Sequence, residues 1–269
     1  MEMNPQEFKF IQQFLAQSCG IVLSDAKQYL VKNRLSGLLS RYGMHSFTDL
    51  IAALQAGSGT AMKLKIDVIE AMTTNETFWF RDDSQFAELK EALLPELLAK
   101  KGGVRIWSAA CSSGQEPYTI SMCVEDTGKN HFVKIIGTDI SENVLNQARL
   151  AVYSDSALAR GIDTSTRNRF FQPVESGYKL NPAITERVRF QQFNLLKPFA
   201  VLGRFQVIFC RNVLIYFSDE IKRDILNRMV HVLEPGGVLF LSSTEVMPAG
   251  VSGFEPVRGR YSRYYRKDV

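Results

Sequence analysis

The alternation of short apolar segments with helical stretches after residue 103 is the feature that most constrains this chain. The strand candidates are 104–107, 133–139, 205–210 and 238–241. Between them the apolar residues recur at helical spacing. Strands that alternate with helices in this way form βαβ units with right-handed crossovers and a mostly parallel sheet. The sequence therefore predicts an α/β domain of Rossmann-like type over residues 91–269.

The first third of the chain lacks this alternation, and its apolar spacing predicts helices only. The expected helices begin near Phe8, Asp25, Phe47 and Thr60, and Gly57-Ser58-Gly59 separates the last two. No strand candidate precedes residue 100. We expect a helical domain at 1–72, followed by a linker at 73–90 that contributes to the active site.

The stretch from about 168 to 193 interrupts the strand–helix rhythm. Glycine and proline flank two short strand-like pieces, 178–180 and 188–190. This pattern predicts a small antiparallel β-subdomain inserted into the α/β domain.

The composition is typical of a soluble globular protein. The 269 residues are 45% hydrophobic and 22% charged, with a formal net charge of +4 and four scattered cysteines. No apolar stretch approaches the roughly 20 residues of a membrane helix, and the start has no export signal. A concentrated basic patch interleaved with aromatics is not expected, which disfavours nucleic acid as a partner. We expect a cytoplasmic monomer without membrane insertion.

Two features at the predicted sheet edge indicate a nucleoside cofactor. The loop 108–117 consists mainly of small residues and matches neither a dinucleotide-binding nor a phosphate-binding glycine pattern. Asp139 ends the second strand, 25 residues after Gly114, where a carboxylate can accept hydrogen bonds from both ribose hydroxyls. Each feature alone also fits an ordinary turn or a helix N-cap. Together they favour S-adenosylmethionine over NAD.

Other polar residues are expected near the same edge, because the carboxyl ends of parallel strands meet there. They are Asn194 and Leu195 after one strand, and Arg211, Asn212 and Tyr216 after another. Asn75, Thr77 and Arg81 are interleaved with aromatic residues that would fit either a pocket wall or interdomain core. The three histidines share no spacing, so neither a metal site nor a histidine base is expected.

Four motifs, in this order and spacing, resemble those of the chemotaxis receptor methyltransferases, the CheR family. They are TTNETFWFRD at 73–82, SAACSSGQEPY at 108–118, GTDIS at 137–141 and CRNVLIYF at 210–217. The family transfers a methyl group from S-adenosylmethionine to glutamates in the cytoplasmic helices of chemoreceptors, leaving S-adenosylhomocysteine. Trp79 stands where the family more often has phenylalanine, a change expected to be tolerated in packing.

The resemblance also implies roles for individual residues. Those implied around the cofactor are Asn75, Thr77, Arg81, Glu116, Asp139, Asn194, Leu195, Arg211 and Asn212. Arg81 and Tyr216 match positions that orient the substrate carboxylate. A glutamate with a pKa of about 4.3 is ionised at neutral pH, so the reaction needs no general base.

A basic stripe marks the helical domain. Lys27, Arg34 and Arg41 recur every seven residues, which fits either a solvated helix face or a docking surface. The resemblance favours docking on acidic receptor helices. The stretch 171–194 is short, which favours docking without a receptor tether peptide.

Two other functions compete with receptor methylation. One is methylation of RNA or of a small metabolite. The other is a non-enzymatic module that senses S-adenosylmethionine or docks in receptor arrays, which the presence of both Arg81 and Tyr216 disfavours.

Overall fold

The computed structural model describes residues 2–56, 59–100, 102–128 and 132–268, and the chain divides into two compact units. We call Met1–Thr74 with Tyr216–Ile221 the helical unit, and Asn75–Ile215 with Lys222–Val269 the sheet unit. Most of the predicted linker 73–90 thus belongs to the sheet unit. Gly57 and Ser58 of the predicted helix break, and His131 among the histidines, lie outside the described residues.

The helical unit contains the helices that the apolar spacing predicts. They are α1 (Pro5–Cys19), α2 (Gln28–Arg41), α3 (Phe47–Gln55) and α4 (Gly59–Met72). At the start of α1, Asn4 and Glu7 form a capping box, and Gly20 ends the helix in the left-handed region. Ile11, Leu15 and similar apolar residues are fully buried between the helices. Throughout the described residues, every helix is too short or too polar to span a bilayer.

The sheet unit is built on seven strands in the order β6-β2-β1-β7-β8-β10-β9. The strands of the unit are β1 (Val104–Ala109), β2 (Val133–Asp139), β3 (Val152–Tyr153), β4 (Phe171–Val174), β5 (Gly177–Leu180), β6 (Val188–Gln192), β7 (Phe205–Cys210), β8 (Leu233–Phe240), β9 (Phe254–Arg258) and β10 (Arg263–Lys267). The five strands from β6 to β8 are parallel, and β10 is antiparallel to both of its neighbours. The predicted Rossmann-like fold class is confirmed.

In the sheet unit, three helical segments precede β1, and further helices connect the strands. They are α5 (Asp83–Glu88), a π-helical turn (Leu89–Leu93), α6 (Leu94–Ala99), α7 (Gln115–Glu125), α8 (Glu142–Leu150), α9 (Asp155–Leu158), α10 (Thr164–Phe170), α11 (Pro182–Thr185) and α12 (Asp219–Val232). The strand interiors are apolar and buried, as expected for a parallel sheet that is covered on both faces.

The predicted small antiparallel β-subdomain is confirmed, but the expected pairing of 178–180 with 188–190 within it is wrong. The small antiparallel sheet has the order β3-β5-β4, whereas β6 pairs in parallel with β2 at the edge of the main sheet. Gly137 of β2 explains this register, because a Cβ there would lie 2.9 Å from the ring of Phe190 in β6. The aromatic ring of β6 packs where the glycine leaves room.

The C-terminal hairpin contradicts the expectation that no basic, aromatic-interleaved segment is present. Arginines and tyrosines are interleaved between Arg258, the last residue of β9, and Arg266 in β10, and Arg258 lies directly opposite Arg263. Two of these residues stabilise the fold, because Arg266 forms an ion pair with Glu96 and Tyr264 is buried. The other arginines of the hairpin are exposed.

Candidate active site

The candidate site lies at the carboxyl ends of β1, β2 and β7. In chain order, β1 is followed by β2 on one side, while β7 pairs with β1 on the other side. The chain therefore extends the sheet from β1 through β2 and β6, and then returns to place β7 on the opposite side of β1, so that the strand order reverses at β1. In open parallel sheets, a reversal of this kind opens the crevice in which ligands bind.

The loop between β1 and α7 is held to two other segments of the sheet unit. Ala110 and Ser112 have positive φ values of 60° and 51°, which non-glycine residues seldom adopt. In that conformation the Ser112 N–H donates to Asp139 Oδ2 at 2.8 Å. The Ser112 hydroxyl donates to the carbonyl of Asn75 at 2.8 Å. The loop thus joins the end of β2 to the segment that contains Asn75.

Asp139 lies where the sequence predicts, at the end of β2, and it is buried. Its second oxygen, Oδ1, accepts from the N–H of Ser141 at 3.0 Å, so the carboxylate is fixed by backbone donors on both sides. The carbonyl of Asp139 accepts from Phe193 N–H at 2.8 Å. That bond brings the next residues of the chain, Asn194 and Leu195, beside the end of β2.

A buried ion network lies between β1, α7 and the end of β7. Arg211 donates to Glu116 Oε2 and to Asp82 Oδ2, each at 3.0 Å, and also to the carbonyl of Arg81. The Ser108 hydroxyl donates to Glu116 Oε1 at 2.6 Å. Burial raises the pKa of Glu116, although the charge of Arg211 and the Ser108 hydrogen bond oppose this. Arg211 Nε is buried and has no hydrogen-bond partner among the described residues.

Two carboxylates that the sequence did not indicate organise this network. Burial favours a higher pKa for Asp82, but hydrogen bonds from Arg211 and Ser243 hold its pKa below the usual value. Glu245 accepts from the N–H of Asn212 at 2.8 Å. Glu245 also accepts from the N–H groups of Leu214 and Ser242, at 3.1 Å each. Glu245 therefore fixes the backbone conformation of the residues after β7, where Asn212 has a positive φ of 57°.

The aromatic segment around Arg81 combines packing with half-buried polar groups. Trp79 is buried and packs edge-on against Tyr153 and Phe171, in line with the expected packing role. The Arg81 guanidinium carbon lies 5.3 Å from the centre of the Phe78 ring. The carbonyl of Arg81 accepts a hydrogen bond from Arg211 of the buried network. Arg81 thus lies near the crevice, and Thr77 on the same segment is half-buried.

Tyr216 belongs to the helical unit, where its carbonyl accepts from Val22 N–H at 2.9 Å. The implied role of Tyr216 at the substrate carboxylate therefore stays a prediction.

The three residues of the predicted basic stripe, Lys27, Arg34 and Arg41, lie in different environments. Lys27 ends a single 3₁₀ turn before α2 and is exposed. Arg41 is also exposed, with Nη1 3.9 Å from Asp67 Oδ2. Arg34 instead donates to the carbonyls of Met72 and Thr73, at 2.8 and 2.9 Å. Arg34 thus satisfies carbonyl groups at the end of α4, while Lys27 and Arg41 face solvent.

The residues of this site fit S-adenosylmethionine. Asp139 offers a carboxylate at the position suited to ribose hydroxyls. Glu116, Asp82 and Asp139 outnumber the nearby Arg211 and Arg81, and a locally acidic site suits a ligand that carries a sulfonium and an ammonium group.

Known proteins match the chain over nearly its full length. The family model described as "CheR methyltransferase, all-alpha domain" matches residues 6–73, and "CheR methyltransferase, SAM binding domain" matches residues 75–262. The chain is 44% identical over 262 residues to a chemotaxis protein methyltransferase of Vibrio parahaemolyticus, covering 95% of this chain and 94% of that protein. It is 44% identical over 250 residues to chemotaxis protein methyltransferase 1 of Pseudomonas aeruginosa, covering 90% of each.

Proposed function

The chain belongs to the CheR methyltransferase family, whose cofactor is S-adenosylmethionine, and we propose that it methylates glutamate side chains of chemoreceptors. The products would be glutamate 5-O-methyl esters and S-adenosylhomocysteine, formed during adaptation in bacterial chemotaxis. The relatives named above are chemotaxis methyltransferases, which supports the receptor as substrate.

The observation that carries the proposal is the position of Arg81. Its carbonyl accepts from Arg211, which places Arg81 beside the buried network, yet its guanidinium is not part of the ion pairs of Arg211 with Glu116 and Asp82. An arginine beside a cofactor crevice suits a carboxylate substrate, because its planar fork matches the two carboxylate oxygens.

The chain's own residues would act by binding and orientation. Glu116 and Asp139 would hold the cofactor, Arg211 would keep Glu116 in place, and Arg81 would orient the substrate carboxylate. Bound S-adenosylmethionine supplies an electrophilic methyl group, so that a C–O bond to the carboxylate forms as the C–S bond breaks and its electron pair stays on sulfur. No proton has to move, so the site needs alignment and partial desolvation of the nucleophile rather than a base.

Transfer of labelled methyl groups to receptor-containing membranes tests the proposal directly. We expect label in the receptor band, released as methanol by mild base because the product is a carboxylate ester. Label that resists base, or that appears in RNA or small metabolites supplied in the same reaction, would contradict the proposal.

Replacing Asp139 with alanine should weaken cofactor binding. The change removes acceptors for the ribose and leaves the N–H groups of Ser112 and Ser141 without their carboxylate. We expect the Kd for S-adenosylmethionine, measured by calorimetry, to rise about 10- to 100-fold. Asp163→Ala is the matched control, because Asp163 also accepts a backbone N–H, from Thr166 in α10, but is exposed there. Equal affinities for the two variants would remove Asp139 from the cofactor site.

Charge reversal at Lys27 and Arg41 tests the docking surface of the helical unit. Both side chains face solvent, so Lys27→Glu and Arg41→Glu should repel an acidic receptor helix without disturbing the fold. We expect the double variant to raise the KM for receptor about 10-fold at low salt, less at high salt, with unchanged cofactor affinity. Arg34 is unsuitable for this test because it binds the end of α4. A KM that stays constant at every salt concentration would identify the stripe as solvated surface.

A further inference from the structure

A second arginine shares the aromatic ring that Arg81 contacts. The guanidinium carbon of Arg160 lies 5.1 Å from the centre of the Phe78 ring, and that of Arg81 lies 5.3 Å from the same centre. Both distances are measured to the same ring centre, so the separation of the two guanidinium carbons is at most the sum of the two values. The ring and the two cations form one basic cluster beside the crevice.

The backbone of Arg160 is fixed to the segment that carries Phe78 and Arg81. The carbonyl of Arg160 accepts from Trp79 N–H at 3.1 Å. The next residue, Gly161, has a φ of 105°, and a Cβ there would collide with the carbonyl of Trp79. Because Trp79 is itself buried, the Cα of Arg160 is held at this place in the sheet unit.

The guanidinium of Arg160, by contrast, is held by an exchangeable partner. Its Nη1 lies 2.6 Å from Glu76 Oε1, and the two side chains are 52% and 61% exposed. Exposed ion pairs contribute little to stability, about 0–1 kcal/mol. The group that occupies Arg160 is a glutamate carboxylate, which is the same chemical group that the proposed reaction methylates.

We propose that Arg160 is a second carboxylate-binding residue of the substrate site and that Glu76 occupies it until a substrate glutamate takes its place. The inference rests on the proposed function, because it takes the substrate to be a glutamate of an acidic helix. Arg160 then captures the incoming side chain or an acidic neighbour of it, and Arg81 orients the reacting carboxylate. Glu76 competes with substrate for Arg160. Arg160 therefore raises the affinity for substrate, and Glu76 lowers it.

Steady-state kinetics with receptor-containing membranes at saturating S-adenosylmethionine test this. Arg160→Ala should raise the KM for receptor about five- to tenfold with kcat within a factor of about two, and Arg160→Lys should recover part of the loss. Glu76→Gln should lower the KM about two- to fivefold. In the Arg160→Ala background the Glu76→Gln change should have no effect, because the competition needs Arg160. The Kd for S-adenosylmethionine should be the same in all variants.

Arg204→Ala is the matched control. Arg204 is 55% exposed, its Nε lies 3.5 Å from Glu234 Oε2, and it precedes β7 at the opposite end of that strand from the site. The Arg204→Ala variant should leave the KM for receptor unchanged. A KM for Arg160→Ala equal to that of the wild type would overturn the inference, as would a Glu76→Gln variant that loses affinity like Arg160→Ala. A wild-type protein without methyl transfer would instead overturn the proposed function, and the inference with it.

Discussion

Replacing Arg81 with alanine is expected to lower kcat for receptor methylation by about a hundredfold or more, a larger effect than the accompanying rise in the Kd for S-adenosylmethionine. The reaction has no proton transfer to accelerate, so the rate depends on how well the carboxylate oxygen is aligned with the methyl carbon. Arg81 lies near the crevice, and its guanidinium is not part of the ion pairs of the buried network. Its loss should therefore remove orientation of the nucleophile and leave the cofactor contacts of Glu116 and Asp139 in place.

Two further variants show whether orientation is the cause. Arg81→Lys keeps the charge but not the planar fork, so we expect its kcat to fall between those of the wild type and Arg81→Ala. Phe78→Leu keeps an apolar side chain but removes the ring beside the guanidinium, and it should cost less than Arg81→Ala. Near-normal turnover by Arg81→Ala would exclude Arg81 from the mechanism.

The general position of the site follows from the sequence because strand ends are local features. Apolar runs that stop at Asp139 and before Arg211 identify the carboxyl ends of β2 and β7, and a parallel sheet brings those ends together. The same local patterns predicted the helices α1 to α4. Where a residue's position depends on its own element, the prediction is reliable.

The partners of these residues depend on distant parts of the chain and could not be predicted in the same way. Arg211 binds Asp82, 129 positions earlier, and Glu245 binds the N–H of Asn212, 33 positions earlier. Neither acidic residue has a local pattern that distinguishes it from a surface residue. The parallel pairing of β6 with β2 was missed for a related reason, since it depends on the space that Gly137 leaves for Phe190.

Arg34 shows how a correct periodicity can leave a role undetermined. The seven-residue spacing places Arg34 on the same side of the segment as Lys27 and Arg41, but spacing does not say which groups of α4 lie within reach. In the structure the guanidinium also donates to the Thr74 hydroxyl at 3.0 Å, besides the carbonyls of α4 and the residue that follows it. A basic side chain beside a helix C-terminus is favourable in its own right, so its presence is explained without a partner protein.

Arg211 sets the stability of the whole site, so its replacement is expected to have the second large effect. The Arg211 side chain is only 2% exposed, while Asp82 and Glu116 are 22% and 15% exposed.

Arg211→Met would remove the counter-charge of Glu116 and of the half-buried Asp82, and breaking a buried pair in this way costs about 3–5 kcal/mol. We expect the calorimetric unfolding transition of the sheet unit to move to clearly lower temperature and S-adenosylmethionine binding to be lost. Adding Glu116→Gln to Arg211→Met should recover part of the stability, because the buried charge that lacks a partner is then neutral. The control Arg204→Met breaks an exposed pair and should cost no more than about 1 kcal/mol. Equal shifts for Arg211→Met and Arg204→Met would show that the network is not what holds the segment of Arg81 and Asp82 against the end of β7.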